Sequence, residues 1–187
     1  MKNKIKTILE ESIGVKQQVA ASCVDDIRKS AESIISSLKK GGKLILCGNG
    51  GSAADAQHIA AEFVGRFKKE RKALPAIALT TNTSVLTAIA NDYGYNQVFK
   101  RQVEAIAAKN DVLMGISTSG NAVNVIEAVE LANKIGLKTI ALTGAGGGKL
   151  AKIATFSIKV PSFNTPRIQE SHIVIGHIIC ELVEDAQ

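Results

Sequence analysis

A histidine and a glutamate lie four residues apart, directly after a glycine-rich turn. His58 and Glu62 would share one face of a helix, one turn apart, and residues 48–52 before them read Gly-Asn-Gly-Gly-Ser. Such a pair can hold a metal or transfer a proton, and backbone N–H groups at a helix N-terminus bind anions. The segment therefore predicts an enzyme acting on a phosphorylated small molecule, although an ordinary surface pair is the alternative.

A second candidate anion site lies at residues 117–121, Ser-Thr-Ser-Gly-Asn. Three hydroxyl side chains and a glycine turn, between a buried strand and a helix, offer several donors to one anion. Helix capping by Ser119 or Asn121 would explain one such residue, but not four in a row. We therefore expect this loop to bind phosphate.

The last helix adds polar groups to an otherwise apolar segment, namely Gln169, His172 and His177. Buried polar groups need partners, so His177 is either a satisfied core histidine or a ligand. Gln169 and His177 are separated by roughly 12 Å along a regular helix. One metal could contact both only if the helix began late, the side chains stretched or two subunits contributed. His172 is expected to face a different environment.

Other classes of function are disfavoured by composition. Gly48, Gly50 and Ala53 satisfy a loose dinucleotide fingerprint, but the second predicted strand ends in Thr-Thr-Asn rather than in an acid that could hold a ribose. The net charge is +6, yet the basic run at residues 66–72 lacks the interleaved aromatics of nucleic-acid binders. We expect this run to be a solvated loop, and a positive field suits an anionic substrate.

The apolar runs and the cysteine spacing argue against a membrane protein and against a disulfide-bonded one. No apolar run approaches the ~18 residues of a membrane span. The three cysteines show neither zinc-ribbon nor disulfide spacing. We expect a cytoplasmic protein with buried, reduced thiols and without nucleic acid or membrane as a partner.

The candidate residues must be positioned by alternating strands and helices. Residues 4–39 carry apolar positions at helical spacing and predict one or two helices. Short apolar strands, typical of a parallel sheet buried on both faces, are predicted at residues 43–48, 75–80, 111–117, 138–143 and 156–160. Helices are predicted at residues 52–66, 84–91, 97–108, 121–135, 148–154 and 166–185.

This order predicts an α/β fold in a single domain over residues 1–187. A helical segment at about 1–40 would precede a core at about 43–187, a five-stranded parallel sheet with helices on both faces. Ligands bind such sheets at the carboxyl ends of the strands. Four polar loops fall there and should converge on one rim: residues 48–52, 80–84, 117–121 and 143–148.

The chain resembles the sugar isomerase (SIS) domain family, and within it the phosphoheptose isomerases. The resemblance covers nearly the whole chain and rests on GNGGSAADAQHIAAE (48–62), ALTTNTSVLTAIANDYG (78–94), GISTSGN (115–121) and TPRIQESHIVIGH (165–177). It implies a flavodoxin-like fold and the conversion of sedoheptulose 7-phosphate to D-glycero-D-manno-heptose 7-phosphate through an enediol(ate). This reaction would be the first step of heptose precursor biosynthesis. It also implies one zinc ion per site and a homotetramer with active sites between subunits.

The resemblance also implies a role for each matching residue. The zinc ligands would be His58, Glu62, Gln169 and His177. The phosphate would be held by Asn49, Gly50, Gly51, Ser52, Ser117, Thr118 and Ser119. The sugar would be contacted by Asn91, Asp92, Glu62 and Gln169. For the proton transfers, Glu62 is the candidate base and His177 the candidate acid.

One position departs from the family pattern, and two alternative functions remain open. The family loop often continues as STSGNS, whereas this chain has Ala122 in place of the last serine. One hydroxyl donor to the phosphate is therefore missing, which should lower affinity. The alternatives are a non-catalytic SIS tetramer that binds the replication initiator, and an isomerase for another sugar phosphate. The reactive set favours an enzyme, since a scaffold has no need of it.

Overall fold

The computed structural model describes residues 1–187, and its elements follow the predicted order. The strands are β1 (Leu44–Gly48), β2 (Ala76–Ala78), β3 (Val112–Ile116), β4 (Lys138–Thr143) and β5 (Phe156–Lys159). The helices are α1 (Lys2–Ser22), α2 (Val24–Lys39), α3 (Gly51–Val64), α4 (Thr83–Tyr93), α5 (Lys100–Ile106), α6 (Val123–Lys134), α7 (Gly148–Ile153) and α8 (Thr165–Asp185). A short 3₁₀ turn, Tyr95–Gln97, precedes α5. The N-terminal segment forms two helices, which meet at Cys23.

All five strands are parallel, in the order β2-β1-β3-β4-β5, which confirms the predicted α/β sheet. Every residue of β1 and of β3 is buried, as expected for strands covered on both faces. The strand order reverses between β1 and β3, where Gly48 is the register partner of Ile116. Ligands bind parallel sheets at such a reversal, so the loops at residues 48–52 and 117–121 leave the sheet side by side.

The core divides into two layers, one on each face of the sheet. Leu44 and Leu46 belong to the layer that includes apolar side chains of α2, α3 and α8. Ile45 and Cys47 belong to the opposite layer, with side chains of α5, α6 and α7. All three cysteines are free and buried, as predicted. None of the helices combines the length and apolar character needed to cross a membrane.

Helix α8 packs closely against α3 because Gly176 lacks a side chain. A Cβ atom at Gly176 would lie 2.6 Å from Cδ1 and 2.8 Å from Cγ1 of Ile59. Ile59 and Gly176 are the sequence neighbours of His58 and His177. The close approach of the two helices therefore occurs beside the candidate reactive side chains.

Candidate active site

Three of the four predicted metal ligands meet between α3 and α8 of one chain. The Nε2 atom of His58 is 2.8 Å from Nε2 of His177 and 3.3 Å from Oε1 of Glu62. One ligand atom of each residue lies within 4.8 Å of the others. Donors about 2 Å from a tetrahedral zinc are themselves roughly 3.3 Å apart. The three side chains thus fit a metal of the kind that takes imidazole and carboxylate ligands.

Gln169 does not join this cluster within the chain. Its Nε2 donates a hydrogen bond to Oδ1 of Asp55 at 2.6 Å, and its side chain approaches Gly51 at the start of α3. This position, two helical turns from His177, follows from the eight-residue separation already visible in the sequence. A contribution from a second subunit, one of the three ways considered for a shared metal, is not needed for the two histidines, because His58 and His177 meet within one chain.

Asp55 is a site residue that the sequence analysis missed. Its Oδ2 atom is buried without a hydrogen-bond partner. Burial raises the pKa of the Asp55 carboxyl to about 6, against the opposing effects of the Gln169 hydrogen bond and the charge of His58. The available signal was a carboxylate one turn before His58 on an otherwise alanine-rich helix.

The predicted phosphate loop after β3 is tied to the loop after β4. Gly120 has φ +67°, and a Cβ atom there would lie 2.1 Å from the carbonyl oxygen of Gly147. The N–H of Gly144 donates to the carbonyl of Thr118 at 3.0 Å. Only glycine fits at position 120, since both the backbone conformation and the contact exclude a side chain. Two of the four predicted loops are therefore in direct contact.

The serines of this loop lie around one small region. Ser117 is buried, and its Oγ is 3.4 Å from Oγ of Ser119. The Oγ of Ser119 also accepts a hydrogen bond from the N–H of Asn121. Asn121 precedes α6, whose N-cap residue is Ala122 without a side-chain hydrogen bond, so Ser119 does not cap that helix. Thr118 and Ser119 remain partly or fully exposed, where their hydroxyls can reach a ligand.

A pair of asparagines joins the turn after β1 to the start of α6. The side-chain amides of Asn49 and Asn124 each donate to the other's carbonyl oxygen at 2.9 Å. The hydroxyl of Tyr95 donates to the same Asn49 oxygen at 3.2 Å. Asn124 is buried and was missed from sequence. The sequence feature that could have drawn attention to Asn124 is an amide side chain between two valines. The pair fixes Asn49, one of the predicted phosphate-binding residues.

Comparison with known proteins is consistent with this geometry. Residues 9–144 match the SIS domain family. Over 99% of its length the chain is 55% identical to the phosphoheptose isomerase of Thermodesulfovibrio yellowstonii, covering 92% of that protein. The chain belongs to the phosphoheptose isomerases of the SIS domain family. It is also 56% identical to the Aquifex aeolicus phosphoheptose isomerase, with coverage of 99% of this chain and 97% of that protein.

A solved structure of the family has the same fold. The phosphoheptose isomerase GmhA of Neisseria gonorrhoeae superposes with a TM-score of 0.93 at 45% identity, covering 98% of each chain. The flavodoxin-like strand order expected for an SIS domain is thus confirmed.

Two predicted sugar-binding residues of this SIS domain, Asn91 and Asp92, are bonded to each other and not to the loops. Asn91 and Asp92 are exposed near the end of α4, and the Asn91 amide donates to the Asp92 carboxylate at 2.8 Å. Neither forms a hydrogen bond with the phosphate loops or with the His58 cluster. No residue of α4 is fully buried. Contact of Asn91 and Asp92 with the sugar remains a prediction.

The basic run after α3 is only partly the solvated loop that was predicted. Lys68 and Lys69 form exposed ion pairs with Glu181 and Asp185. Arg71 differs, since its side chain is 9% exposed and is paired with Glu184, whose side chain is 2% exposed. The prediction of a solvated side chain was wrong for Arg71, because a carboxylate from the last turns of α8 lies against it.

Glu184 should make the stability of this SIS domain sensitive to acid. Burial opposes its ionisation, but the N–H groups of residues 67–69 and the charge of Arg71 lower the pKa of Glu184 from 4.5 to about 2. A carboxylate with a depressed pKa stabilises the fold above the unfolded-state value, and that contribution is lost as the pH falls from about 4.5 toward 2.

We expect Glu184→Gln to flatten the fall in unfolding free energy across that pH window. Urea unfolding at about pH 6 and about pH 3 measures it. The control is Glu181→Gln, which removes an exposed carboxylate from the same helix. Equal pH dependence in Glu184→Gln and wild type would contradict the prediction.

Proposed function

We propose that the protein is an aldose–ketose isomerase that converts sedoheptulose 7-phosphate to D-glycero-D-manno-heptose 7-phosphate. The observation that carries the proposal is the cluster of His58, Glu62 and His177 on helices beside the predicted phosphate loops. Relatives at 55% and 56% identity carry the name phosphoheptose isomerase, which supports the same substrate here. The alternative of a scaffold that binds the replication initiator leaves this reactive cluster without a purpose.

The spacing of the site suits a long sugar phosphate. Ser52, in the predicted phosphate-binding turn, precedes His58 by about 9 Å along α3. An open seven-carbon chain with its phosphate at C7 carries its carbonyl at the opposite end. We therefore propose that the loops at 48–52 and 117–121 hold the phosphate while C1 and C2 lie against Glu62 and His177.

We propose that His58, Glu62 and His177 hold a zinc ion. When bound, zinc would supply a Lewis acid that polarises the sugar carbonyl. Gln169 would complete the predicted ligand set only by leaving Asp55, or as a residue of a second copy of the chain. A carboxylate bound to a metal is a weaker base, so Glu62 is proposed to be loosely held or to shift during turnover.

Proton transfer is assigned to the chain's own side chains. Glu62 would take a proton from C1 of the ketose, and the resulting enediol(ate) would receive that proton back at C2 to give the aldose. His177 would exchange the proton between the two substrate oxygens, with a ring N–H that also stabilises negative charge on oxygen.

The proposed reaction is tested by incubating the protein with sedoheptulose 7-phosphate in deuterated water, with and without added zinc. Proton NMR should show an aldoheptose phosphate that carries deuterium at C2. Aldose without deuterium would keep the isomerase but require a shielded proton transfer. No turnover by folded, zinc-loaded protein would overturn the heptose proposal. Parallel incubations with ketohexose and ketopentose phosphates test whether the protein isomerises another sugar phosphate instead.

Adding the missing serine should strengthen phosphate binding. Ala122 precedes α6 as an N-cap residue without a side-chain hydrogen bond, and its loop is the predicted phosphate site. A hydrogen bond to a charged group is worth about 1.5–3 kcal/mol, so Ala122→Ser should lower the dissociation constant for a sugar phosphate roughly 10- to 100-fold. Isothermal titration measures it, with Ala21→Ser on α1 as control. Unchanged affinity would argue against this loop as the phosphate site.

We further propose a homotetramer with active sites near subunit interfaces, in the cytoplasm. Support for assembly comes from α1, which exposes four large apolar side chains at helical spacing: Ile5, Ile8, Leu9 and Ile13. A monomer would leave this apolar face in water. The free, buried cysteines suit a reducing compartment.

Leu9→Glu should dissociate the assembly, because it puts a charge into that apolar face. Light scattering coupled to gel filtration should give about four times the chain mass for wild type and a smaller mass for the variant. Lys6→Glu, which also adds an acid to α1 but at an exposed basic position, is the control. A monomeric wild type would refute the assembly proposal.

A further inference from the structure

The buried carboxylate of Glu184 organises the loop that follows α3. It accepts hydrogen bonds from the backbone N–H groups of Phe67 (3.0 Å), Lys68 (2.8 Å) and Lys69 (2.9 Å). It also accepts one from Nε of Arg71 at 3.1 Å. Four donors from one short segment of chain thus converge on a single side chain of α8, which fixes the path of this loop.

Arg71 extends the same connection to the end of α3. Its Nη2 donates to the carbonyl of Glu62 at 2.8 Å, and its Nη1 donates to the carbonyl of Phe63 at 2.9 Å. Carbonyl groups in the last turn of a helix lack partners within the helix, so Arg71 caps the turn from which Glu62 projects. One ion pair therefore links the backbone of Glu62 to α8, the helix that carries His177.

The loop held by this pair places an aromatic ring against His177. The centroid of the His177 ring lies 5.4 Å from that of the Phe67 ring and 5.0 Å from that of the His58 ring. Phe67 also packs against the main hydrophobic core. The imidazole of His177 is thus contacted by the metal-ligand candidate His58 and by a phenylalanine whose backbone N–H is bound to Glu184.

Stability alone is a poor explanation for burying these charges. A buried ion pair gains little net stability over a hydrophobic replacement, because both ions lose their hydration. Two exposed pairs already join the same loop to α8, Lys68 with Glu181 and Lys69 with Asp185. What the buried pair adds is fixed geometry, since Glu184 and Arg71 together bond to the loop and to the end of α3.

We propose that Arg71 and Glu184 are positioning residues for the isomerase reaction, acting through Phe67 and the last turn of α3. They hold the carboxylate of Glu62 and the imidazole of His177 in the relative placement that proton transfer requires. The inference rests on the proposed function, and it concerns residues outside the predicted catalytic, metal-binding and phosphate-binding sets.

Kinetics provide the first test. Small displacements of reacting groups are costly to catalysis, so Glu184→Gln should lower kcat for sedoheptulose 7-phosphate about tenfold or more. KM should change little, because the phosphate loops lie elsewhere in the chain. Phe67→Ala should have a similar effect, and Phe67→Leu should restore part of the activity by refilling the space beside His177. Glu181→Gln, the exposed matched control, should retain wild-type kcat.

A spectroscopic signature provides the second test and does not depend on turnover. The chain has three histidines, so the ring signals of His177 are readily assigned by NMR of zinc-free protein. The Phe67 ring current should shift the His177 ring protons, Phe67→Ala should remove that shift, and Glu184→Gln should reduce it. Glu181→Gln should leave it in place. A purely structural role would lower the melting temperature without moving these signals.

The outcomes separate this inference from the proposed function. If wild type does not isomerise the sugar, the proposed function fails while the NMR comparison still decides whether Glu184 positions His177. If wild type is active and folded Glu184→Gln keeps both its kcat and its His177 shift, the positioning role is overturned. If Glu184→Gln does not fold, the Phe67 variants decide, and wild-type kcat in Phe67→Ala overturns the proposal.

Discussion

Glu62→Gln should lower kcat for sedoheptulose 7-phosphate by about 10²- to 10⁴-fold, the range typical of a lost general base. The amide has the shape of the carboxylate but cannot accept the proton from C1 of the ketose. Glu62 is partly buried beside His58, so the substitution leaves the packing of α3 intact. KM should change much less, because the phosphate-binding loops are untouched.

Three measurements test the role of Glu62 as the base. Steady-state kinetics give kcat and KM, metal analysis gives the zinc content, and deuterium exchange at the sugar carbon reports proton abstraction directly. Loss of exchange with zinc retained would support Glu62 as the base. Normal activity with zinc lost would show that another group takes the proton. Glu32→Gln, on the exposed side of α2, controls for loss of one negative charge.

Gly176→Ala should be nearly as damaging, although it touches neither substrate nor metal. The added methyl would lie 2.6 Å from Cδ1 of Ile59, so α3 and α8 must move apart or Ile59 must change conformation. Overpacking of this kind costs about 1–3 kcal/mol of stability. A shift near 1 Å between His58 and His177 can cost about 10²-fold in rate.

A second substitution, at Ile59, should compensate for the methyl group that Gly176→Ala adds. Ile59→Ala removes both Cδ1 and Cγ1, the two atoms that the new methyl would meet, so the double variant Gly176→Ala with Ile59→Ala should restore the close approach of α3 and α8 and much of the activity. Gly14→Ala is the matched control, since nothing lies within 4 Å of a Cβ atom at that helical glycine. Melting curves and kcat measure both effects. A Gly176→Ala variant with wild-type rates would show that the close packing is dispensable.

Local patterns in the sequence were enough to predict the sheet. The strands β1 and β3 are unbroken apolar runs bounded by glycine or polar residues, and runs of this kind have few alternatives to burial on both faces. The pairing of His58 with Glu62 also follows from local helical spacing. The separation of Gln169 from His177 was likewise visible as eight residues along one helix.

Features that depend on distant partners could not be predicted in this way. Arg71 looked like one more charge in a basic run, because its partner Glu184 is 113 residues away in the chain. Asn124 is bound to Asn49 across 75 residues, and the two valines that flank it in the sequence do not identify that partner. Asp55 was overlooked for the same reason, since its role depends on Gln169 in α8.

The assembly of the metal-ligand cluster from α3 and α8 sets an order of events during synthesis. His58 and His177 are 119 residues apart in the chain, so the ribosome finishes the whole sheet before the second histidine emerges. Until then the nascent chain contains only His58 and Glu62 of the cluster, and two ligands bind a metal ion weakly. A partly synthesised chain therefore cannot form the complete cluster, which is assembled only when α8 has been synthesised and packs against α3.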